Sequence, residues 1–375
     1  MRIKNGKVYT EEGIFDKQDV SMEGEFFADG RNRTEGETEI LDAEGLWVIP
    51  GLTDIHFHGC VNHDLCDGTI EAITAIAQYE LKNGITSICP ATMTMPEAIL
   101  MQIAELAAAY QNPEGADLVG INMEGPFVSR EKKGAQNENY IIPPNLELYY
   151  KLQEISGHRF KLVDIAPEEA GALEFIEAVK DEVVVSIAHT TADYELTRKA
   201  FKAGASHVTH LYNAMPPYTH RAPGVVGAAS DCRECRVELI CDGIHVHPSV
   251  VRNTFRIFGS DRVVLVSDSM RAAGLEDGSY TLGGQKVNVM GKLAVLEDGT
   301  IAGSVSNLMD CVRVCVKEMG IPLEQAVRSA AVNSAKVIGI YDRYGSITPG
   351  KYANTVLLDQ DLNIKHVIMR GKLVK

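Results

Sequence analysis

Residues 161–210 read KLVDIAPEEAGALEFIEAVKDEVVVSIAHTTADYELTRKAFKAGASHVTH. Three short apolar runs, Lys161–Ile165, Val183–Ala188 and His207–His210, are separated by two stretches with helical spacing, Pro167–Val179 and Ala192–Ala203. Strands that alternate with helices build parallel sheets, because a parallel neighbour is reached only by a crossover, usually a helix. The runs are nearly continuous in apolar character, so a sheet covered on both faces is predicted. Working outward, further runs lie near Val48–His56, Ile85–Pro90, Leu118–Glu124, Val237–Cys241 and Val263–Ser267. Helical stretches lie at Thr69–Asn83, Pro96–Tyr110 and Pro248–Phe258. Eight parallel strands close a (β/α)8 barrel. The predicted fold is therefore α/β, a TIM-like (β/α)8 barrel over residues 51–344.

The two ends read differently. Residues 1–46 are short, polar and turn-punctuated, with Asn5-Gly6 as a hairpin signal. Residues 346–375 hold two strand-like runs, Thr355–Leu358 and His366–Met369. Neither end is long enough to build a core alone. One small β-sandwich made from both, 1–50 with 345–375, solves that and brings the termini together.

The chain has 36 basic and 51 acidic residues and a net charge of −15. That balance argues against non-specific binding to nucleic acid or anionic lipid. An anionic substrate would need a local cation. The start, MRIKNGKVYTEEG, has no apolar signal region, and no run of 18 apolar residues occurs. A cytoplasmic, membrane-free protein is the expectation. The eight cysteines are dilute, and Cys232/Cys235 is a single CxxC without the second pair a zinc ribbon needs. The thiols are read as passive.

In a (β/α)8 barrel, chemistry sits at the C-terminal ends of the strands. Strand one leads into His56 and His58, strand three into Glu124, strand five into His189 and strand six into His210. Strand seven is followed by Asp242 and His245, and strand eight by Asp268. A lone His after an apolar run is usually structural. The same placement on most strands is not, because the barrel converges these residues on one point. Imidazole and carboxylate are ligand types that zinc and divalent iron favour. The spacing of His56 and His58 puts both rings on one side of an extended segment.

The segment PGLTDIHFHG, residues 50–59, resembles the start of the amidohydrolase superfamily. The segments MEGPF, KKGAQN, THLYNAMPP, DGIHV, VSDSM and IAGS, in that order between about Leu46 and Leu358, resemble the N-acetylglucosamine-6-phosphate deacetylase family within it. The resemblance implies a metal-dependent hydrolase barrel. It implies Glu124, His189 and His210 as constant metal ligands, with His56 and His58 holding a second metal in members that have one. One or two divalent ions, Zn2+ or Fe2+, fit that pattern. It implies Asp268 as catalytic acid/base, a role compatible with its also being a metal ligand in a binuclear site, and His245 as the group that polarises the substrate carbonyl. It implies Asn213, Ala214 and Arg221 as substrate contacts, Arg221 taking the phosphate across a homodimer in the neighbouring active site. One departure stands at Gln136, where the family has a substrate-contacting His; Gln can bond but carries no charge.

Elementary chemistry agrees with these roles. A divalent metal acidifies water and polarises a carbonyl. A carboxylate such as Asp268 can take the water's proton and pass one to the departing amine. A guanidinium such as that of Arg221 matches phosphate oxygens, whereas Lys132 and Lys133 are read as surface charges. The end of strand four, Asp164-Ile165-Ala166-Pro167, has no Lys to bridge two metals, so Glu124 is the natural substitute. The expected activity is deacetylation of N-acetylglucosamine 6-phosphate. The alternatives are N-acetylgalactosamine 6-phosphate as substrate, or an inactive sugar-phosphate-binding protein on the same scaffold.

Overall fold

The structure, a computed structural model, describes residues 1–29, 39–111 and 114–374. Residues 30–38 and Lys375, which belong to the predicted terminal β region, lie outside the described residues. The barrel strands are β1 (Leu52–Asp54), β2 (Ile85–Ile88), β3 (Ile121–Met123), β4 (Phe160–Ile165), β5 (Val184–Ile187), β6 (His207–Val208), β7 (Arg236–Ile240) and β8 (Val263–Val266). From β3 to β8 each strand pairs in parallel with the next in chain order. β1 pairs with β2, which continues to Asp117–Leu118 and, through a bridge between Ala91 and Asn122, to β3. The ring closes where the Asp268 amide donates to the His56 carbonyl at 2.9 Å and the His58 amide to the Ser269 carbonyl at 2.7 Å.

The helices that cover the barrel are α1 (Ile70–Lys82), α2 (Glu97–Ala109), α3 (Leu146–Ser156), α4 (Ala172–Val179), α5 (Tyr194–Ala203), α6 (Gly224–Asp231), α7 (Pro248–Phe258) and α8 (Leu308–Lys317). Local chemistry sets several of their starts. Thr69, Asn145, Asp193 and Asn307 each accept an amide of the first turn on their side chains. α4 starts later than the expected Pro167, after Gly171 at φ 82°. None of the described helices is long and apolar enough to cross a membrane.

Strand residues fall into three environments, the third being a separate apolar cluster that includes Ile55, Leu162, Ile240, Val264 and Val266. Val185, Ile187, Val237, Leu239, Val263 and Leu265 belong to the core shared with the helices. The intervening Ser186 and Glu238, with Thr53, Asp164 and His207 on other strands and Thr209 just after β6, are buried and polar. They bond to one another along the barrel axis: Thr53 to Ser87 at 2.7 Å, Ser186 to Thr209 at 2.6 Å, and Thr209 to Asp164 at 2.9 Å.

The terminal segments form two sheets. One has the order Phe26–Ala28, Val20–Glu23, Arg2–Lys4, Ile40–Asp42. The other has the order Lys372–Leu373, Ile364–Met369, Thr355–Leu358, Trp47–Pro50, Lys7–Tyr9, Phe15–Lys17. Side chains that alternate along each strand use both faces of the second sheet. Val8, Val48, Leu357 and Ile368 meet Ile3, Val20, Met22 and Phe27 of the first sheet, while Tyr9, Ile49, Val356 and Val367 join the barrel core. The sandwich is therefore anchored to the barrel.

Two expectations are corrected. The run Val48–His56 is two strands, one per layer, because the chain crosses from sandwich to barrel at Gly51. A Cβ there would lie 2.2 Å from the Thr86 side chain. Asn5-Gly6 is not a hairpin, since the strands on either side of it pair in different sheets. Asn5, at φ 64°, turns the chain between sheets, and Gly6 admits the Val48 side chain, which a Cβ would meet at 2.6 Å.

Candidate metal centre and substrate cavity

The residues expected at the strand ends do converge. His56 and His58 follow β1, Glu124 follows β3, His189 follows β5, His210 follows β6 and Asp268 follows β8, and all six are buried. Glu124 is their centre. Its Oε1 lies 3.0 Å from His189 Nε2, 3.2 Å from His210 Nε2 and 3.4 Å from His56 Nε2. Its Oε2 lies 3.3 Å from His58 Nε2. Asp268 Oδ1 stands 3.3 Å from His58 Nε2 and 3.8 Å from His56 Nε2. Two groups of potential metal ligands share Glu124: His56 and His58 on one side, His189 and His210 on the other.

The outer nitrogens decide what the inner ones can do. Nδ1 of His189 faces the Lys132 carbonyl at 2.9 Å, Nδ1 of His58 faces the Ala91 carbonyl at 3.3 Å, and Nδ1 of His56 faces a carboxylate oxygen of Glu238 at 2.9 Å. A carbonyl only accepts, so the proton sits on Nδ1 and the Nε2 lone pair points inward. The Nε2 atoms of His189 and His210, 3.1 Å apart, crowd with those of His56 and His58 around two carboxylates. Among the described residues the buried His56 Nε2 has no hydrogen-bond partner. Such a concentration of acceptors fits a divalent cation. Burial raises the Glu124 pKa, but positive charge on the surrounding imidazoles outweighs it and holds this carboxyl well below the usual range; protons on those rings and a divalent cation are alternative sources of that charge. Asp268 is likewise held low: burial pushes up, and the contact with His58 pulls down more strongly.

Backbone strain marks three of these six residues and a neighbour, Ala214. His189 has φ 42°, His210 φ 27°, Ala214 φ 52° and Asp268 φ 48°, all in the left-handed region that non-glycine residues seldom use. They border a cavity of about 370 Å3. His58, Glu124, Gln136, His189, His210, Asn213, Ala214, His245 and Asp268 line it.

The amidohydrolase family model matches residues 47–374 of this chain. The chain belongs to the amidohydrolase family. It is 40% identical, over 99% of its length and 93% of the relative's, to an N-acetylglucosamine-6-phosphate deacetylase of Bacillus subtilis. It is 33% identical, over 98% of its length and 97% of the relative's, to an N-acetylgalactosamine-6-phosphate deacetylase of Escherichia coli O157:H7. Its fold matches a Mycobacterium smegmatis N-acetyl-D-glucosamine-6-phosphate deacetylase solved with N-acetyl-D-glucosamine-6-phosphate. There the TM-score is 0.91 and the identity 30%, with 100% of this chain and 99% of that one covered.

Around the cavity of this amidohydrolase the remaining expected residues divide. His245 presents its ring with Nδ1 bonded to Asp242 at 2.8 Å. Burial lowers the His245 pKa, but the bond to Asp242 outweighs it and leaves the ring above the ordinary value. Gln136 takes the Thr94 amide on Oε1 at 2.7 Å and donates from Nε2 to Glu124 Oε2 at 2.8 Å. The backbone donor fixes which end is oxygen, so the Gln amide is fully oriented. Arg221 is exposed and does not line its own chain's cavity. Lys132, read from sequence as a surface charge, lines the cavity and supplies the carbonyl that orients His189.

The sequence reading missed Glu238 and the inserted sheet after β8. Glu238 is a carboxylate inside an apolar strand, a placement that signals a role when no charge is otherwise buried there. The insert comprises Gly278–Leu282, Gln285–Met290 and Leu293–Val295. Its Leu282, with Ile301 and Gly303 beyond it, forms one wall of the cavity.

Proposed function

We propose that this chain hydrolyses the acetamide of N-acetylglucosamine 6-phosphate to glucosamine 6-phosphate and acetate. The reading rests on one observation: a barrel whose strand ends gather Glu124, four histidines and Asp268, in a chain similar along nearly its whole length to deacetylases of that substrate. Glu124, His189 and His210 would hold one divalent metal, Zn2+ or Fe2+, with His56 and His58 able to hold a second. Bound there, the metal supplies acidification of a water and polarisation of the acetamide carbonyl. Asp268 takes the water's proton on its cavity-facing carboxylate and delivers it to the amine nitrogen as the C–N bond breaks. His245, oriented by Asp242, donates from Nε2 to the oxygen that gathers negative charge. Gln136 braces Glu124 and has a second amide proton for the sugar. Asn213 and Ala214 border the sugar phosphate.

A homodimer goes with this reading, because the exposed Arg221 is then placed to serve a neighbouring cavity. So do a cytoplasmic setting and the division of the chain into 1–50 with 345–375 and 51–344. The acetylated galactosamine phosphate is the second reading, favoured by the Escherichia coli O157:H7 relative and by Gln136 in place of the family His. The inactive-binder alternative is weakened by the retention of Asp268. The test is metal analysis together with kcat/KM for acetate release from both sugar phosphates. More than about a tenfold preference for the galacto sugar, a difference of ~1.4 kcal/mol in transition-state binding, overturns the first reading. Stoichiometric metal without acetate release from either overturns both.

A further inference from the structure

Glu238 lies on β7, fully buried between apolar neighbours and turned toward the barrel axis. A carboxylate in such a place is costly unless it is well partnered. Both of its hydrogen bonds fall on one oxygen. Oε2 accepts from His56 Nδ1 at 2.9 Å and from the His210 backbone amide at 3.1 Å. Its own backbone carbonyl accepts the Leu211 amide at 2.9 Å. Among the described residues Oε1 has no hydrogen-bond partner, and Nδ1 of His207 stands 3.8 Å from it. One residue thus grips a ring from one half of the ligand set and the strained backbone of the other, where His210 sits at φ 27°.

We propose that Glu238 is the positioning residue that joins the two halves of the metal site. Its carboxylate keeps the His56 proton on Nδ1 and makes Nε2 a stronger donor toward the cation, while its acceptor on the His210 amide sets the angle of the second ligand. The inference rests on the reading of the cluster as a divalent-metal site, and it is independent of which sugar phosphate is cleaved. Partners of this kind usually change metal affinity by about 10–100-fold when the charge is lost.

The test is Zn2+ titration of the metal-stripped full-length protein against a chromogenic chelator, for wild type, Glu238→Gln, His56→Ala and the double variant. Gln is nearly isosteric and its oxygen can still accept the His210 amide, so the change removes the charge and spares the backbone contact. The expected result is at least about a tenfold loss of Zn2+ affinity in Glu238→Gln, with no further loss beyond about twofold when His56 is already Ala. Wild-type affinity in Glu238→Gln, or a tenfold loss that persists in the His56→Ala background, overturns the proposal. If Glu238→Gln does not fold, nitrogen NMR of the histidine-labelled, Zn2+-loaded wild type decides instead. A proton on His56 Nδ1 supports the role, and one on Nε2 overturns it. Zinc coupling of this form without acetate release would leave Glu238 in place and remove the deacetylase reading.

Discussion

Asp268 reaches the cavity on a backbone that most residues avoid, and the bonds around it show what holds it there. Its amide donates to the His56 carbonyl and its carbonyl accepts the Ser304 amide at 2.7 Å. Strain of this kind costs about 1–3 kcal/mol per residue and persists where the surroundings over-determine it. If its carboxylate is the proton carrier, Asp268→Asn should lower kcat by about 10²–10⁴-fold with metal content nearly unchanged. Full activity in that variant would remove the assignment. His207 makes a second, separable prediction. Burial pushes its pKa down to about 4, against 6.5 for the free side chain. The fold therefore keeps the ring neutral, while the unfolded chain takes up a proton once the pH drops below about 6.5. Stability is full above that pH and falls as the pH descends toward 4, by about 3 kcal/mol for a shift of this size. Urea unfolding of metal-free protein between pH 7 and 4.5 should show a shallower acid loss in His207→Gln than in wild type. Identical slopes would exclude the ring as the cause.

At the scale of elements, the histidines and carboxylates were legible because each follows an apolar run, and the strand-helix alternation says which end of the barrel they share. The inserted sheet was not. Gly278–Leu282 and Gln285–Met290 are half-exposed and polar, so they carry no buried-strand pattern. A signal did exist: Gly283 and Gly284, both at positive φ, are a two-residue hairpin connection between them. Beyond the insert, Gly303 of the IAGS segment has φ 67°, and a Cβ on it would lie 3.0 Å from the Asp268 carbonyl. That backbone atom is already committed to Ser304 and cannot give way. Gly303→Ala should therefore cost about 1–3 kcal/mol of stability. It should also lower kcat about tenfold or more, since a shift near 1 Å at a reacting group is enough for that. A variant that loses stability but keeps wild-type kcat would show that Asp268 is positioned independently of this contact.

For the whole molecule, the net charge of −15 and the need for a local cation point the same way. In a dimer that brings Arg221 to a neighbour's cavity, Arg221→Ala should raise KM for the phosphorylated sugar on the order of ten- to a hundredfold. That matches about 1.5–3 kcal/mol for a charged hydrogen bond. The unphosphorylated sugar should be nearly unaffected, and an equal rise for both would exclude a phosphate contact. The amino-acid sequence alone determined the barrel and the ligand types. Those follow from local signals, namely the apolar runs, the helical spacing between them and the polar residue at each run's end. It did not determine that strand one divides at Gly51, that Asn5-Gly6 joins two sheets, or that a bonded polar group shares the barrel interior with an apolar one. Nor did it reveal Glu238 as the partner of both His56 and His210. These depend on which faces meet after the chain has closed on itself. A carboxylate inside a strand reads as an error until the ring brings a histidine 182 positions away to within 2.9 Å of it. Only the closed structure supplies that second partner, and with it the reason a charge can be buried there.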